Sequence, residues 1–168
     1  GDVDLDEWEI RVQQEGNKVY ATANKEGRNR GWNNNNNISI SFKVYAPVKS
    51  KADVRTRGGS LRLENQQGDQ LASTSGGSIN VEEIGGDVSL RTSGGSITIN
   101  DIEGSVDANT SGGRIRAEKV TGGINARTSG GSITLEAVSG NVEAKTSGGS
   151  IEAEILNPDD FIELRTSG

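Results

Sequence analysis

The sequence predicts an all-β fold: a right-handed parallel β-solenoid (β-helix) of 18-residue coils with an N-terminal antiparallel β cap. Three observations predict it. Thr-x-Gly-Gly-x-(Ile/Leu) starts at Thr56, Thr74, Thr92, Thr110, Thr128 and Thr146, six copies at a constant spacing of 18 residues. Within each unit the apolar residues alternate with the period of two that marks a strand with one buried face. The chain has 24 glycines in 168 residues, 30% hydrophobic and 4% aromatic residues, and no cysteine, histidine or methionine. Such a composition suits neither a helical bundle nor a disulfide-stapled module.

Residues 1–46 read as the cap. Trp8, Ile10 and Val12 alternate, Glu15-Gly16-Asn17 offers a turn, and Val19, Ala21 and Ala23 alternate back, which is a hairpin pattern. An Asn-rich polar loop (24–37) follows and ends in five asparagines. Ile38, Ile40, Phe42, Val44 and Ala46 form a second alternating run. All aromatic residues except Phe161 lie at or before Tyr45, where a wider cap core has room for them.

Residues 47–168 read as one continuous solenoid domain. Numbered from its threonine, each unit is apolar at positions 6, 8, 11, 15 and 17: Ile97, Ile99, Ile102, Val106 and Ala108 in the third, Ile133, Leu135, Val138, Val142 and Ala144 in the fifth. Val48, Ala52, Val54 and Thr56 already hold positions 11, 15, 17 and 1, so the stack starts before the first glycine pair. Glycines at positions 3, 4 and 13 separate the strands and are expected to supply the positive φ angles of tight corners. Two irregularities stand out. Gln66 and Gln70 occupy apolar positions in the first unit, and the last complete unit carries two extra residues near Asn157-Pro158-Asp159-Asp160.

Strict spacing favours a stack over an antiparallel meander, because an insertion in a solenoid breaks every column. A left-handed hexapeptide helix also has 18 residues per coil, but it needs small or apolar residues where Arg91, Asn109, Arg127 and Lys145 stand. The usual crossover preference then selects the right-handed winding. The chain opens Gly1-Asp2-Val3, from which a removed leader is expected, and closes Thr166-Ser167-Gly168, where a further unit is expected to begin.

The net charge of −6 argues against a nucleic-acid partner. No run reaches the roughly 18 apolar residues of a membrane span. Position 9 stacks Glu64, Glu82, Glu118, Glu136 and Glu154, with Asn100 as the exception. These carboxylates read as a solvated strand edge rather than a divalent-cation site. Position 18 is mainly basic (Arg55, Arg91, Arg127, Lys145, Arg165) beside acidic Asp53, Asp107, Glu143 and Glu163 at position 16, a pattern of lateral salt bridges.

The threonine column shares strand parity with the inward positions, so its hydroxyls are expected at the corner, bonded to backbone. Ser75, Ser93, Ser111, Ser129 and Ser147 lack a histidine to activate them. No catalytic, cofactor-binding or metal-binding residue is assigned, and no cofactor is implied. Asn37-Ile38-Ser39 and Asn109-Thr110-Ser111 match a glycosylation acceptor. No aromatic residue occurs from Ala46 to Asp160, so the coil faces lack the flat rings on which sugars stack.

The Thr-Ser-Gly-Gly-Ser-Ile units with Gly-x-Val, the Val44–Thr56 lead-in and the Trp8–Tyr20 hairpin together resemble the bacterial putative-adhesin β-strand-repeat family. The resemblance implies this same fold and an exported protein, periplasmic, outer-membrane-associated or extracellular. It implies no catalytic residue. The expected function is a non-catalytic envelope or surface solenoid that presents regular polar faces to a protein or surface glycan. One alternative is a self-assembling, bactofilin-like filament joined through the solenoid ends. Another is a polysaccharide-active β-helix enzyme, although such enzymes need larger coils and long loops.

Overall fold

The computed structural model describes residues 8–15, 18–25 and 46–168. The expected run from Ile38 to Val44 and the Asn-rich stretch from Glu26 to Asn37 lie outside them. All described regular structure is β. Strands β1 (Trp8–Glu15) and β2 (Lys18–Lys25) form the expected hairpin, antiparallel from Trp8 opposite Lys25 to Glu15 opposite Lys18.

Every later strand pairs in parallel with a strand one coil away, and those between Gln70 and Thr146 pair on both sides, which makes the chain a β-solenoid. One wall holds β4 (Leu61–Gln66), β6 (Ile79–Ile84), β8 (Ile97–Ile102) and β10 (Ile115–Val120). The second wall holds β3 (Lys51–Arg55), β5 (Gln70–Ser73), β7 (Val88–Arg91), β9 (Val106–Asn109) and β11 (Ile124–Thr128). Strands β12 (Ile133–Thr146) and β13 (Ile151–Thr166) run through both walls. At the other end β2 covers β3, with Lys18 beside Lys51 and Val19 beside Ala52.

Register is set by hydrophobic columns. Ile79, Ile97, Ile115 and Ile133 lie in one line at 0% exposure, and Ala72, Leu90, Ala108, Ala126 and Ala144 lie in another, also at 0%. A one-residue slip would turn every such side chain to solvent. The first unit keeps this register with polar residues. Gln70 is 2% exposed, and its Nε2 donates to the carbonyls of Ser50 and Gly68 at 2.9 Å each. Gln66 Oε1 accepts a 2.6 Å bond from Ser50 Oγ. Val48 departs from expectation: it is 55% exposed and its carbonyl accepts from the Gln67 amide. The solenoid wall therefore begins at Lys51.

The glycine pairs play a different part from the expected one. No glycine at position 3 or 4 has a positive φ; at position 13 Gly68 and Gly140 do, as expected, whereas Gly86, Gly104 and Gly122 do not, and Gly123 is the other described glycine that does. What matters at position 4 is distance between coils. A Cβ on Gly77, Gly95, Gly113 or Gly131 would lie 2.0–2.1 Å from the carbonyl oxygen of the glycine one coil earlier. Position 3 is roomier, since a Cβ on Gly94 would come no nearer than 3.7 Å to any neighbour.

Positive φ instead falls on position 10, on Asn65, Glu83, Asp101, Lys119 and Ala137, at φ values from 53° to 57°. Inward positions 8 and 11 are three residues apart, and plain alternation cannot bring both inside. One left-handed residue, present at the same place in five successive coils, absorbs the odd step and leaves the ladder in register. In the last coil Ala153 and Ile155 oppose Leu135 and Val138, so that extra residue is omitted, and the surplus residues enter between Ile155 and Ile162.

Two predictions follow from these columns. Ile97→Asp should cost more than about 4 kcal/mol, an unpaired charge in the core, whereas Thr98→Asp, on the outward side of the same strand, should stay within about 0.5 kcal/mol. Equal shifts in urea midpoints would reverse the inside-outside assignment. Gly95→Ala should destabilise by several kcal/mol, on the order of a steric overlap in a packed core, while Gly94→Ala should be neutral or slightly stabilising. A thermal melt of the two variants compares them directly.

Candidate functional site

The candidate site is the outer surface of the two walls and their corners. The threonine column comes first, because its hydroxyls are the most regularly placed reactive groups. Thr74, Thr92, Thr110, Thr128 and Thr146 are 4–7% exposed. Each Oγ1 donates to the carbonyl of the position-4 glycine one coil earlier, at 2.8–2.9 Å. Each also accepts from its own coil's position-4 amide at 3.2–3.3 Å. The hydroxyls are thus spent on joining coils at the corner, as the strand parity predicts. The position-2 serines stand beside them and are exposed.

On the second wall, positions 16 and 18 form the expected lateral pairs. Arg55 grips Asp53 with two bonds of 2.9 and 3.0 Å, and Arg91 lies 3.5 Å from Asp107. Toward the C-terminal coils the pairs merge into a chain of alternating charge. Arg127 reaches Glu143 at 2.8 Å, Lys145 reaches Glu143 at 2.5 Å and Glu163 at 3.0 Å, and Arg165 closes on Glu163. The Lys145 ammonium, and then the Arg127 guanidinium, hold the Glu143 carboxyl below the usual carboxylate range. In return Glu143, followed by Glu163, raises Lys145 above its ordinary value. Lys51 and Asp69 shift each other the same way across 2.5 Å.

On the first wall the carboxylate column is in register as expected, Glu64 beside Glu82 and Glu118 beside Glu136, with Asn100 between. Position 7 relieves the crowding. Arg62 binds Glu64 and lies 3.6 Å from Glu82, and Arg116 binds Glu136 at 2.9 Å. Among the described residues no three His, Cys, Asp or Glu side chains converge as a metal site.

Two open grooves follow the corners. The larger, about 850 Å³, runs along the second wall from Lys51 to Phe161, with Asp69, Asp87, Asp107 and Glu143 among its lining residues. The smaller, about 640 Å³, sets Arg91, Arg127, Lys145 and Arg165 beside Ser111, Ser129 and Ser147. Sequence reasoning missed Phe161 as a surface group. It is 49% exposed at the end of the larger groove, carried there by the two-residue insertion, which was itself visible in the spacing.

The acceptor motif at Asn109 sits inside strand β9. Its amide donates to Asp107 at 2.9 Å, and Thr110 Oγ1 is bonded to Gly95. The motif at Asn37 lies outside the described residues. No helix among the described residues is long and apolar enough to cross a membrane.

The ion-pair chain gives a pH prediction. Glu143 contributes stability that is complete above the ordinary carboxylate pKa of about 4.3 and is lost as pH falls through its lower folded value. Glu143→Gln should therefore lower the melting temperature at neutral pH and flatten its fall between about pH 5 and 2. The neutral-pH effect should shrink in high salt. An unchanged pH profile would show that the network adds nothing to folding.

Compared with known proteins, the chain matches no family model, no curated protein and no solved structure.

Proposed function

We propose that the protein is a non-catalytic structural or adhesin-like β-solenoid of the bacterial envelope or cell surface, which holds regular polar faces out to a protein or glycan partner. One observation carries this reading: charges recur at the same positions on several coils of both walls and engage one another. With about 4.8 Å between coils, such a wall is a ruler that fits a partner with its own linear repeat. Several such contacts, each weak, add through multivalency.

Three features support it. The threonine hydroxyls are committed to coil-to-coil bonds, which leaves them poorly placed as nucleophiles. The even coils give open grooves rather than the loop-built cleft in which a sugar ring is held and strained. The Thr-Ser-Gly-Gly-Ser-Ile units resemble those of the bacterial putative-adhesin repeats, which points to an exported location.

The test is a glycan array and a panel of purified envelope proteins probed with the intact chain, alongside charge-reversed walls such as Arg127→Glu with Lys145→Glu. Binding that falls at least about tenfold in the reversed protein, with its fold retained, is the expected outcome. Turnover of an envelope polysaccharide, abolished by a single Asp, Glu or Lys substitution, would overturn the reading in favour of an enzyme.

A further inference from the structure

The two grooves have opposite chemistry. The larger takes in Asp53, Asp107 and Glu143 of position 16. The smaller is lined only by arginine, lysine, asparagine, serine and threonine, with no carboxylate, aliphatic or aromatic residue among them. In a chain of net charge −6 that lining stands apart. Two of its cations, Arg91 and Arg127, lie well inside the stack, each with a paired coil on both sides.

The carboxylates of position 16 leave these arginines with donors to spare. Arg91 lies 3.5 Å from Asp107, longer than a good hydrogen bond, and its side chain is 67% exposed. Asp107 is meanwhile held by the Asn109 amide at 2.9 Å. Arg127 meets Glu143 through Nη2 alone, at 2.8 Å, and is 45% exposed. A guanidinium carries five N–H donors in a planar fork and can hold a second anion. Lys145, shared between Glu143 and Glu163, has less to give. The exposed hydroxyls of Ser111 and Ser129 stand beside the arginines, one coil apart.

We propose that the smaller groove seats a linear acidic polysaccharide, whose carboxylate or sulfate groups meet Arg91 and Arg127 and whose hydroxyls meet the serines. This deepens the reading above and rests on it, naming one polar face and the class of glycan that fits there. The two arginines are two coils apart, about 9.6 Å, so one small anion cannot span them and an extended polymer with repeated charge can. The lining selects the kind of polymer. An acidic peptide draws its affinity from a free strand edge or from side-chain pockets, and inside the stack the edges are already paired. A single-stranded nucleic acid needs aromatic rings for its bases. An acidic polysaccharide brings only anionic groups and hydroxyls, and the groove offers guanidinium forks and hydroxyls in return. Charge here takes the part that flat rings play for neutral sugars.

Fluorescence anisotropy of a labelled oligogalacturonate, a short chain of uronic acids, titrated with the intact protein at low salt tests this. Its methyl ester keeps the sugars and removes the charge. The expected result is binding that weakens severalfold as salt is raised and at least about tenfold on esterification. Arg91→Gln with Arg127→Gln should lower the affinity at least about tenfold, while Arg62→Gln on the first wall should leave it unchanged. Asp107→Asn should raise it severalfold, because the carboxylate that competes for Arg91 is gone; Glu118→Gln, the same charge change on the first wall, should not. A damaged fold does not produce such a gain. No binding, equal binding of the ester, tighter binding of polyglutamate or oligothymidylate, or indifference to the arginine pair would each overturn the proposal. Cleavage of the oligomer during the titration would overturn both this assignment and the non-catalytic reading beneath it. A protein or neutral glycan bound equally well by the arginine-pair variant, with no binding of the uronate, would overturn this assignment alone.

Discussion

Coils stacked about 4.8 Å apart leave no room for a side chain where the chain turns sharply at position 4. The position-4 glycine of each coil lies so close to the same glycine one coil earlier that a methyl group would enter its carbonyl oxygen. From that approach the rest follows. The position-1 threonine can reach the earlier glycine's carbonyl and its own glycine's amide at once. Once corners are fixed at equal height, residues 18 apart are stacked, and the apolar columns close.

The same stacking governs the outside of the rod. Like residues fall on like residues, so a column of glutamates would repel itself unless a neighbouring column answers it. On the first wall arginines at position 7 do so, and on the second wall positions 16 and 18 alternate in sign. Each exposed pair adds little stability by itself. Together they keep two long walls soluble and give them a charge pattern with a fixed repeat, which is the feature available to a binding partner. The insertion in the last coil breaks this regularity, and it brings Phe161 to the end of the larger groove.

A stack has ends. Inside the rod each strand satisfies its backbone on both sides, whereas the first and last can do so on one side only. A hairpin strand lies against the start of β3, Lys18 beside Lys51 and Val19 beside Ala52.

The sequence by itself determined the period, the parallel stack, the identity of the inward columns, the hairpin and the pairing of charges at positions 16 and 18. All of these are translations by 18 residues or alternations by two, and such symmetries are written directly in the order of residues. Only the tertiary structure decided what breaks or enforces them. The left-handed residues at position 10 include Glu83, Lys119 and Ala137, which share no chemistry; their trace was the odd step from position 8 to 11. The glycine pairs proved to answer to the coil above and below rather than to local backbone angles, a requirement that exists only after stacking. Burial of Gln70, exposure of Val48 and the placement of Phe161 were equally out of reach. Each depends on whether another coil lies over that residue, and local sequence carries no record of what lies one coil away.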